Sequence, residues 1–583
     1  MNGAFLGVEQ SLTGRRWVGP APEDLRRAQA LSQATGLPDP VALILARNGI
    51  APEAAEAYLD PKLRDLMPDP SGFRDMDRAT ELLLDHLARG SRIAIFADYD
   101  VDGACSAAVL SDWLASLGRR PTIYVPDRID EGYGPNVPAM EMLARDHPLI
   151  VCVDCGTLSH EPIAAARAAG AEVIVLDHHM GGETLPPAGA VVNPNRQDET
   201  SEHGYLCAAG VVFLFLVSLN RALRAQGKPQ PDLIRLLDLV ALATVADVAP
   251  LLGLNRALVR QGLKVMARRE RPGLVALSDV ARLRAAPAPY HLGFLLGPRI
   301  NAGGRVGRAD LGARLLTTAD VAEAAALAAD LDRLNEERRA IEADVLAEAM
   351  AQAEARGADG PLVWAAGAGW HAGVVGIVAA RLKEAFGRPA VVIGVDGAEG
   401  KGSGRSVSGV DLGAAIATCA HEGLLLKGGG HRMAAGLTVA SAMIEPAMER
   451  LAALLQRQGA GSMGRGDLAV DGLLSAGGAT PELVETLETA GPFGASAPQP
   501  RFAFASMRVA HVRRFGDTHL GLTLSDGASR LSAVAFRAVD GPLGAVLEQG
   551  SGGAIHVAGR LEIDDWGGRR SARLRIEDAA PAA

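Results

Sequence analysis

The chain is 583 residues long, and at roughly 100–200 residues per domain it has room for three to five domains. It is 48% hydrophobic and 22% charged, which excludes a disordered polyelectrolyte, and with 4% aromatic residues it is too poor in rings for recognition built on extended stacking. A formal charge of −10 excludes a uniformly basic nucleic-acid coat but leaves room for a basic groove on an acidic body, because electrostatic focusing is local.

Residues 1 to about 80 read as short helical pieces interrupted by Pro38, Pro40, Pro52, Pro61, Pro68 and Pro70. The opening MNGAFLGVEQSLTGRRW has no basic stretch followed by an apolar one, so no secretory signal is expected. No run reaches the roughly 18 uncharged apolar residues of a membrane span. The richest, 239–254, is interrupted by Asp247. Five scattered cysteines (Cys105, Cys152, Cys155, Cys207, Cys419) do not make a disulfide framework. The expectation is a soluble, cytoplasmic protein without membrane association, and a monomer.

From residue 92 short apolar runs alternate with helical patterns, which predicts a parallel α/β sheet. The runs are 92–97, 122–125, 149–153, 172–176 and 190–192, with helices near 103–117, 136–145 and 160–169; helices then dominate from about 208 to 285. Thr318 to about Arg356 lacks Pro and Gly and carries Leu327, Leu331, Leu334, Ile341 and Val345 at helical spacing. Its roughly 39 residues would extend about 58 Å, as a surface helix or as a connector between domains. Runs at 362–365 and 390–394 bracket a helix at 373–386 and begin a second, smaller α/β unit. After a Gly/Ser-rich break at 459–466, five short strands (501–512, 519–525, 532–536, 554–561 and 572–576) suggest a small barrel such as an OB-fold.

The chemistry concentrates where strands end. IAIFADYDVDG (93–103) runs an apolar strand into Asp98, Asp100 and Asp102 before a glycine opens the next helix. Ligands of open parallel sheets bind beyond the carboxyl ends of strands, and crowded carboxylates repel one another unless a cation neutralises them. The run does not fit an EF-hand loop, whose twelfth position should be Glu and here is Val109. Nor does it fit an aspartyl-nucleophile phosphatase, which wants Thr or Val where Asp102 stands. A solvated polar turn would be the alternative for this run alone, but LIVCVDCG delivers Asp154 and EVIVLDHH delivers Asp177, His178 and His179 to the same predicted edge. Hard oxygen ligands with imidazole suit Mn²⁺ first and Mg²⁺ second; Zn²⁺ would prefer thiolates. Asp247, closing the apolar helical run DLVALATVADVAPL, is a further carboxylate that would be costly to bury without a partner. Cys152 and Cys155 form a C-x-x-C without a second pair at matching distance, so a packing role is expected.

Taken together, DYDVDG, VDCG, LDHH and ATVADVAPL resemble the DHH phosphoesterase superfamily, closest to its RecJ branch of single-strand-specific 5′→3′ DNA exonucleases. The similarity continues through PDRIDEGYG (126–134), GPRINAGGRVGRA (297–309), GWHAGVVGIVAARL (369–382), GSGRS (402–406), KGGGHRMAAG (427–436) and PFGASAPQPRF (492–502). The architecture it implies is an N-terminal helical segment (1–80), a parallel-sheet DHH catalytic domain (81–315), a long connecting helix (316–358), a DHH-associated substrate-binding domain (359–460) and a C-terminal OB-fold barrel (467–583). By the same resemblance Asp98 and Asp154 are ligands of one metal, while Asp100, Asp154, His178 and Asp247 are ligands of a second, with Asp154 bridging. His179, Asp177 and Asp102 form the implied catalytic set, His179 beside the scissile phosphate and Asp177 orienting the histidine pair. Many small-substrate relatives carry His where Ala94 stands; the RecJ branch also lacks it, which implies a weaker first metal.

The same resemblance implies that Arg128, Ser403 and Arg405 bind the 5′-terminal phosphate, and the glycine-rich loops that contain Ser406, Gly429 and Gly430 would let backbone N–H groups approach an anion. Arg299, Asn301, Arg305, Arg308 and His431 would hold the strand near the metals, and Arg513, Arg514, Phe515, Arg537, Trp566, Arg569 and Arg570 would track it along the barrel. Two divalent ions about 3.5–4 Å apart can activate water near neutral pH and clamp a phosphate. The expected reaction is therefore direct attack of water on a phosphodiester, releasing 5′-mononucleotides, with the leaving 3′-oxygen stabilised by the second ion or by protonated His179. The resemblance implies single-strand-binding protein and a RecQ-type helicase as partners. The rival readings are a DHH-type phosphodiesterase of oligoribonucleotides or cyclic dinucleotides, against which Ala94 and the barrel speak, and a catalytically silent DNA-binding scaffold, which would have lost its metal ligands.

Overall fold

Five apolar runs pair side by side into an all-parallel sheet in the order Thr122–Tyr124, Ile93–Ala97, Leu149–Val153, Glu172–Leu176, Ala190–Val192. Every residue of Ile93–Ala97 and Leu149–Val153 is buried, because crossover helices cover both faces of the sheet. Numbered along the chain the order is 2-1-3-4-5, so the winding reverses between Ile93–Ala97 and Leu149–Val153. A doubly wound sheet opens its crevice there. The computed structural model from which this follows describes residues 3–127, 131–357, 359–461, 466–549, 553–565 and 570–582.

Behind the sheet, Ala208–Ala225 is by length and composition apolar enough to cross a membrane, a candidate that inspection of apolar runs alone does not single out. Its window is 67% buried, as expected of a core helix. Leu237–Ala246 ends at Asp247, and Gly262 of the next helix lets the two approach closely, since a Cβ there would lie 2.2 Å from the Leu237 carbonyl oxygen.

The connecting helix spans Val321–Arg356, 36 residues or about 54 Å, and is capped by Asp320, whose carboxylate accepts the N–H groups of Ala322 and Glu323. Its first half buries Leu327, Leu331 and Leu334, whereas Val345, Ala349 and Ala353 join the core of the smaller sheet. One helix therefore belongs to both cores. The smaller sheet is mixed, in the order Lys427–Gly430, Ala434–Ala440, Glu399–Arg405, Ala390–Asp396, Val363–Ala368, with the last pair parallel.

The chain divides into two compact units, 62–462 with 494–496, and 1–61 with 463–493 and 497–583. The expected separate segment 1–80 is thus split. Trp17–Val18 pairs in parallel with Leu468–Ala469, and buried Trp17 donates its Nε1 hydrogen to Asp578 Oδ2 at 3.0 Å. Leu31 and Leu45, from helices Pro22–Thr35 and Asp39–Arg47, lie in the barrel's core. Helix Met76–Ala88 packs instead on the larger unit. Among the described residues of the barrel, Phe502–Phe515, His519–Ser525, Arg530–Ala535, Ser571–Pro581 and Ile555–Asp564 form a closed ring, Phe502–Phe515 pairing with Ile555–Asp564. This closure is that of an OB-fold.

Candidate metal centre and substrate groove

The strands of the large sheet end flush: Ala97 is in register with Val153, Val153 with Leu176, and Leu176 with Val192. The residues one step further, Asp98, Asp154, Asp177 and Asn193, therefore stand side by side at the switch point, and all four are buried. Asp154 adopts a left-handed backbone (φ 60°), a strained conformation for a non-glycine residue and one often kept at functional sites. Asp100 caps helix Val101–Ser116, its Oδ1 accepting the N–H groups of Asp102 (2.9 Å) and Gly103 (3.1 Å). Gly103 is required there, because a Cβ would fall 2.3 Å from the Asp98 carbonyl oxygen.

Three groups could each hold a cation, with ligand atoms within 4.8 Å of one another: Asp98, Asp100 and Asp154; Asp154, His178 and His179; and Asp102, His178 and Asp247. Asp154 belongs to two of them. The geometry groups Asp100 with Asp98 rather than with His178 and Asp247, unlike the division that the sequence resemblance implies. His178 reaches Asp154 Oδ1 at 3.3 Å and Asp247 Oδ2 at 3.9 Å. Among the described residues Asp154 Oδ1 is buried without a hydrogen-bond donor. Burial, and then the charges of Asp102, Asp100, Asp98 and Asp247, push the Asp154 carboxyl well above the usual range. Burial with Asp102 and Asp100 lifts Asp247 to about 8. Such crowding fits hard divalent cations, which remove the repulsion and satisfy the lone oxygen.

Asp177 orients the histidine pair. Its Oδ1 accepts the N–H groups of His178 (2.8 Å) and His179 (3.2 Å) and His179 Nδ1–H (2.8 Å), while Oδ2 accepts the Thr157 N–H (3.0 Å). Burial alone would raise its pKa, but the hydrogen bond and charge of His179, with Thr157, outweigh burial and hold the carboxyl below the usual range. Burial would likewise lower His179, and Asp177, Asp98 and Asp100 instead raise it to about 9. Asp102, besides its place in one of these groups, has a structural task. It is buried, and its oxygens accept the N–H groups of Ala208 (2.6 Å) and Ala209 (2.8 Å), so it anchors the start of helix Ala208–Ala225 behind His178.

Sequence reasoning missed Asn193, Asn195 and Tyr133. Asn193 Nδ2 donates to His179 O and Thr157 Oγ1, both at 2.8 Å, and Asn195 Nδ2 donates to His178 O at 2.6 Å, so these two amides lock the backbone of the pair. The Tyr133 hydroxyl lies 3.1 Å from His179 Nε2. The available signal was VVNPN: a polar residue closing a fifth apolar run, as in the other strands.

The expected strand-binding residues fare unequally. Arg299 is mostly buried, donating to Asp332 Oδ1 (2.8 Å) and Leu295 O (2.7 Å), so it ties helix Gly297–Val306 to the connecting helix. Asn301 Oδ1 accepts the Val101 N–H at 3.1 Å and thereby positions the helix that Asp100 caps. Arg305 donates to Gly373 O at 2.9 Å, at the start of helix Ala372–Phe386. Arg308 is exposed and pairs with Asp310 at 2.8 Å. Ser403 and Arg405 share one face of their strand, Arg405 donating to Ser403 Oγ at 3.0 Å. That face meets Gly376, where a Cβ would lie 3.0 Å from Ser403 Oγ and 3.2 Å from Arg405 Nη2. Gly376 was also missed, although its motif was noted. Ser406 is corrected: it is buried and donates to Val410 O at 2.9 Å, out of reach of a ligand. Gly429 is open, whereas Gly430 (φ +149°) is enclosed by Ala434 and Ala435. His431 is exposed at the hairpin tip. Arg128 lies outside the described residues, as do Trp566 and Arg569.

On the barrel, His511, Arg513, Phe515, Thr523 and Ser532 line a groove of about 600 Å³, and Phe515, His519 and Phe536 cluster with ring centroids 5.3–6.3 Å apart. Arg514 pairs with Glu548, and Arg570 with Glu485.

Sheet order, flush strand-end acids and paired histidines define a phosphoesterase of the DHH class. Residues 92–244 match the DHH family, N-terminal domain; 359–458 match the DHHA1 domain; and 470–578 match the RecJ OB domain. The chain is 40% identical to the single-stranded-DNA-specific exonuclease RecJ of Dickeya dadantii (strain 3937), over 90% of this chain and 93% of that one. The crystal structure of RecJ in complex with Mn²⁺ from Thermus thermophilus superposes with a TM-score of 0.81 at 30% identity, covering 97% of this chain and 79% of that one. The Mg²⁺ complex from the same organism gives a TM-score of 0.75 at 29% identity, covering 97% and 78%. The chain belongs to the RecJ family.

Proposed function

We propose that this protein is a metal-dependent exonuclease that degrades single-stranded DNA from its 5′ end to 5′-mononucleotides, in DNA repair and recombination. The observation that carries this reading is the flush row of acids, with His178 and Asp247, around a buried Asp154 oxygen that has no hydrogen-bond donor among the described residues. Asp98, Asp100, Asp154, His178 and Asp247 would hold two divalent cations, Mn²⁺ or Mg²⁺. When bound, these supply Lewis acidity that polarises a phosphodiester and lowers the pKa of water.

The chain's own groups do the rest. His179, whose Nδ1–H donates to Asp177, can give a proton to the departing 3′-oxygen when its ring is protonated. Asp177, Asn193 and Asn195 keep its ring in place. Ser403 and Arg405, with room left by Gly376, hold the terminal phosphate, and a fixed distance from that pocket to the acids gives 5′→3′ polarity. The barrel's groove retains the strand. A cytoplasmic location, and partnership with single-strand-binding protein and a RecQ-type helicase, complete the proposal on the family resemblance.

The test is Mn²⁺-dependent nucleotide release from a long 5′-phosphorylated single strand. Asp154→Ala should lower the rate by about a thousandfold or more. Equal rates contradict the reading, and stalling on long DNA with hydrolysis of short oligoribonucleotides favours the phosphodiesterase instead.

A further inference from the structure

Residues 131–136 bring Tyr133 to His179. Glu131 fastens this segment: its Oε2 accepts the Tyr124 hydroxyl hydrogen (2.7 Å) and Asn136 Nδ2–H (3.1 Å), and its Oε1 accepts the Asp127 N–H (2.9 Å). Gly132 (φ +90°) and Gly134 (φ +70°) flank the tyrosine in left-handed conformations that residues with a Cβ rarely adopt. Tyr133 is 56% exposed, yet its polar end turns into the site. The hydroxyl lies 3.1 Å from His179 Nε2 and 3.5 Å from the Asp154 carbonyl oxygen, and the ring meets the imidazole edge-on, with centroids 5.8 Å apart and planes at 70°. Asp177, His179 and Tyr133 thus form one chain of hydrogen bonds, carboxylate to imidazole to phenol. With Nδ1 engaged by Asp177 and Nε2 by the hydroxyl, the imidazole has no donor left to meet a leaving oxygen directly. The phenol has one. Once its oxygen accepts Nε2–H, its own hydrogen is left, among the described residues, with the Asp154 carbonyl at 3.5 Å, too long for a strong bond.

We infer that Tyr133 is a catalytic residue whose hydroxyl hands its proton to the departing 3′-oxygen and receives another from His179 Nε2, an inference that rests on the proposed nuclease activity. As the bond from phosphorus to the 3′-oxygen breaks, its electron pair stays on that oxygen, which takes the phenolic hydrogen. The phenolic oxygen takes the hydrogen of Nε2, and the imidazole is left neutral with Nδ1–H still on Asp177. Water forms the new bond to phosphorus and gives up its proton to solvent. A free phenol ionises only near pH 10, so the hydroxyl passes the proton on without standing as a phenolate.

The test compares, with Mn²⁺ present, a natural 5′-phosphorylated single strand with one whose first linkage carries sulfur in place of the bridging 3′-oxygen. A thiolate departs without a proton, so the sulfur strand makes a proton donor unnecessary. Tyr133→Phe keeps the ring and removes the hydroxyl. Its single-turnover rate should fall about 100-fold on the oxygen linkage and change little on the sulfur linkage. The rise in melting temperature that Mn²⁺ produces should match that of the wild type, which shows the fold and the acids intact. An undiminished rate on the oxygen linkage overturns the inference while the nuclease stands. So does an equal loss on both linkages, or a lost response to Mn²⁺, either of which makes the hydroxyl a support of the site and not a donor. A wild type that cleaves neither strand overturns the functional reading and the inference with it.

Discussion

Asp177 Oδ1 and His179 Nδ1 lie 2.8 Å apart, and the same oxygen accepts the backbone N–H groups of His178 and His179. One buried carboxylate thus sets both the position and the charge of the imidazole, which is protonated below about pH 9. In that state the ring donates from Nδ1 to Asp177 and from Nε2 to the Tyr133 hydroxyl.

Asp177→Asn removes this control. NMR titration without added metal should place the wild-type His179 ring near 9 and bring the variant's down toward the ordinary histidine value. Since the folded pKa is raised, the pair's stabilisation is complete below about pH 6.5 and is lost as pH rises through about 9. The kcat of the variant should fall about 10- to 100-fold. An unmoved titration would show that the charge is set elsewhere.

Cation binding should release protons. Asp247, lifted to about 8, is mostly protonated at pH 7 and must ionise to act as a ligand, so Mn²⁺ affinity should rise with pH up to about 8. Calorimetry in two buffers of different ionisation heat measures the release directly. Asp247→Asn should reduce the rise in melting temperature that Mn²⁺ produces, because the amide cannot ionise to become a ligand. Buffer-independent heats would contradict this.

Asn193→Ala leaves the His179 carbonyl and Thr157 hydroxyl without their 2.8 Å donor. The expected cost is about 1–3 kcal/mol in urea denaturation, with a fall in kcat as the histidine pair loosens. Wild-type stability and activity would show that the amide is dispensable.

Gly376→Val fills the space above Ser403 and Arg405. It should reduce the preference for a 5′-phosphate over a 5′-hydroxyl by about tenfold, read as the ratio of kcat/KM on the two substrates. A retained preference would move the phosphate pocket elsewhere.

The parallel sheet was legible because a strand buried on both faces must be an unbroken apolar run, and a charged residue immediately after it can only stand at the sheet's edge. Asp98, Asp154 and Asp177 announce themselves in this way. Asn193 occupies the equivalent place but reads as an ordinary turn residue. The partners of Arg299 and Ser406 were hidden for a different reason: Asp332 and Val410 become neighbours only through tertiary packing or a local turn, and spacing carries no sign of it. The allegiance of residues 1–61 rests on a two-residue strand at Trp17–Val18 pairing with Leu468–Ala469, too short and too distant in sequence to show as periodicity.

Anomalous diffraction from crystals soaked in Mn²⁺ and a 5′-phosphorylated oligonucleotide tests the central claim most directly. Two peaks should appear beside Asp154, one facing Asp98 and one facing His178, with a phosphate of the strand against both. Density at neither position, with the strand bound elsewhere, would contradict it.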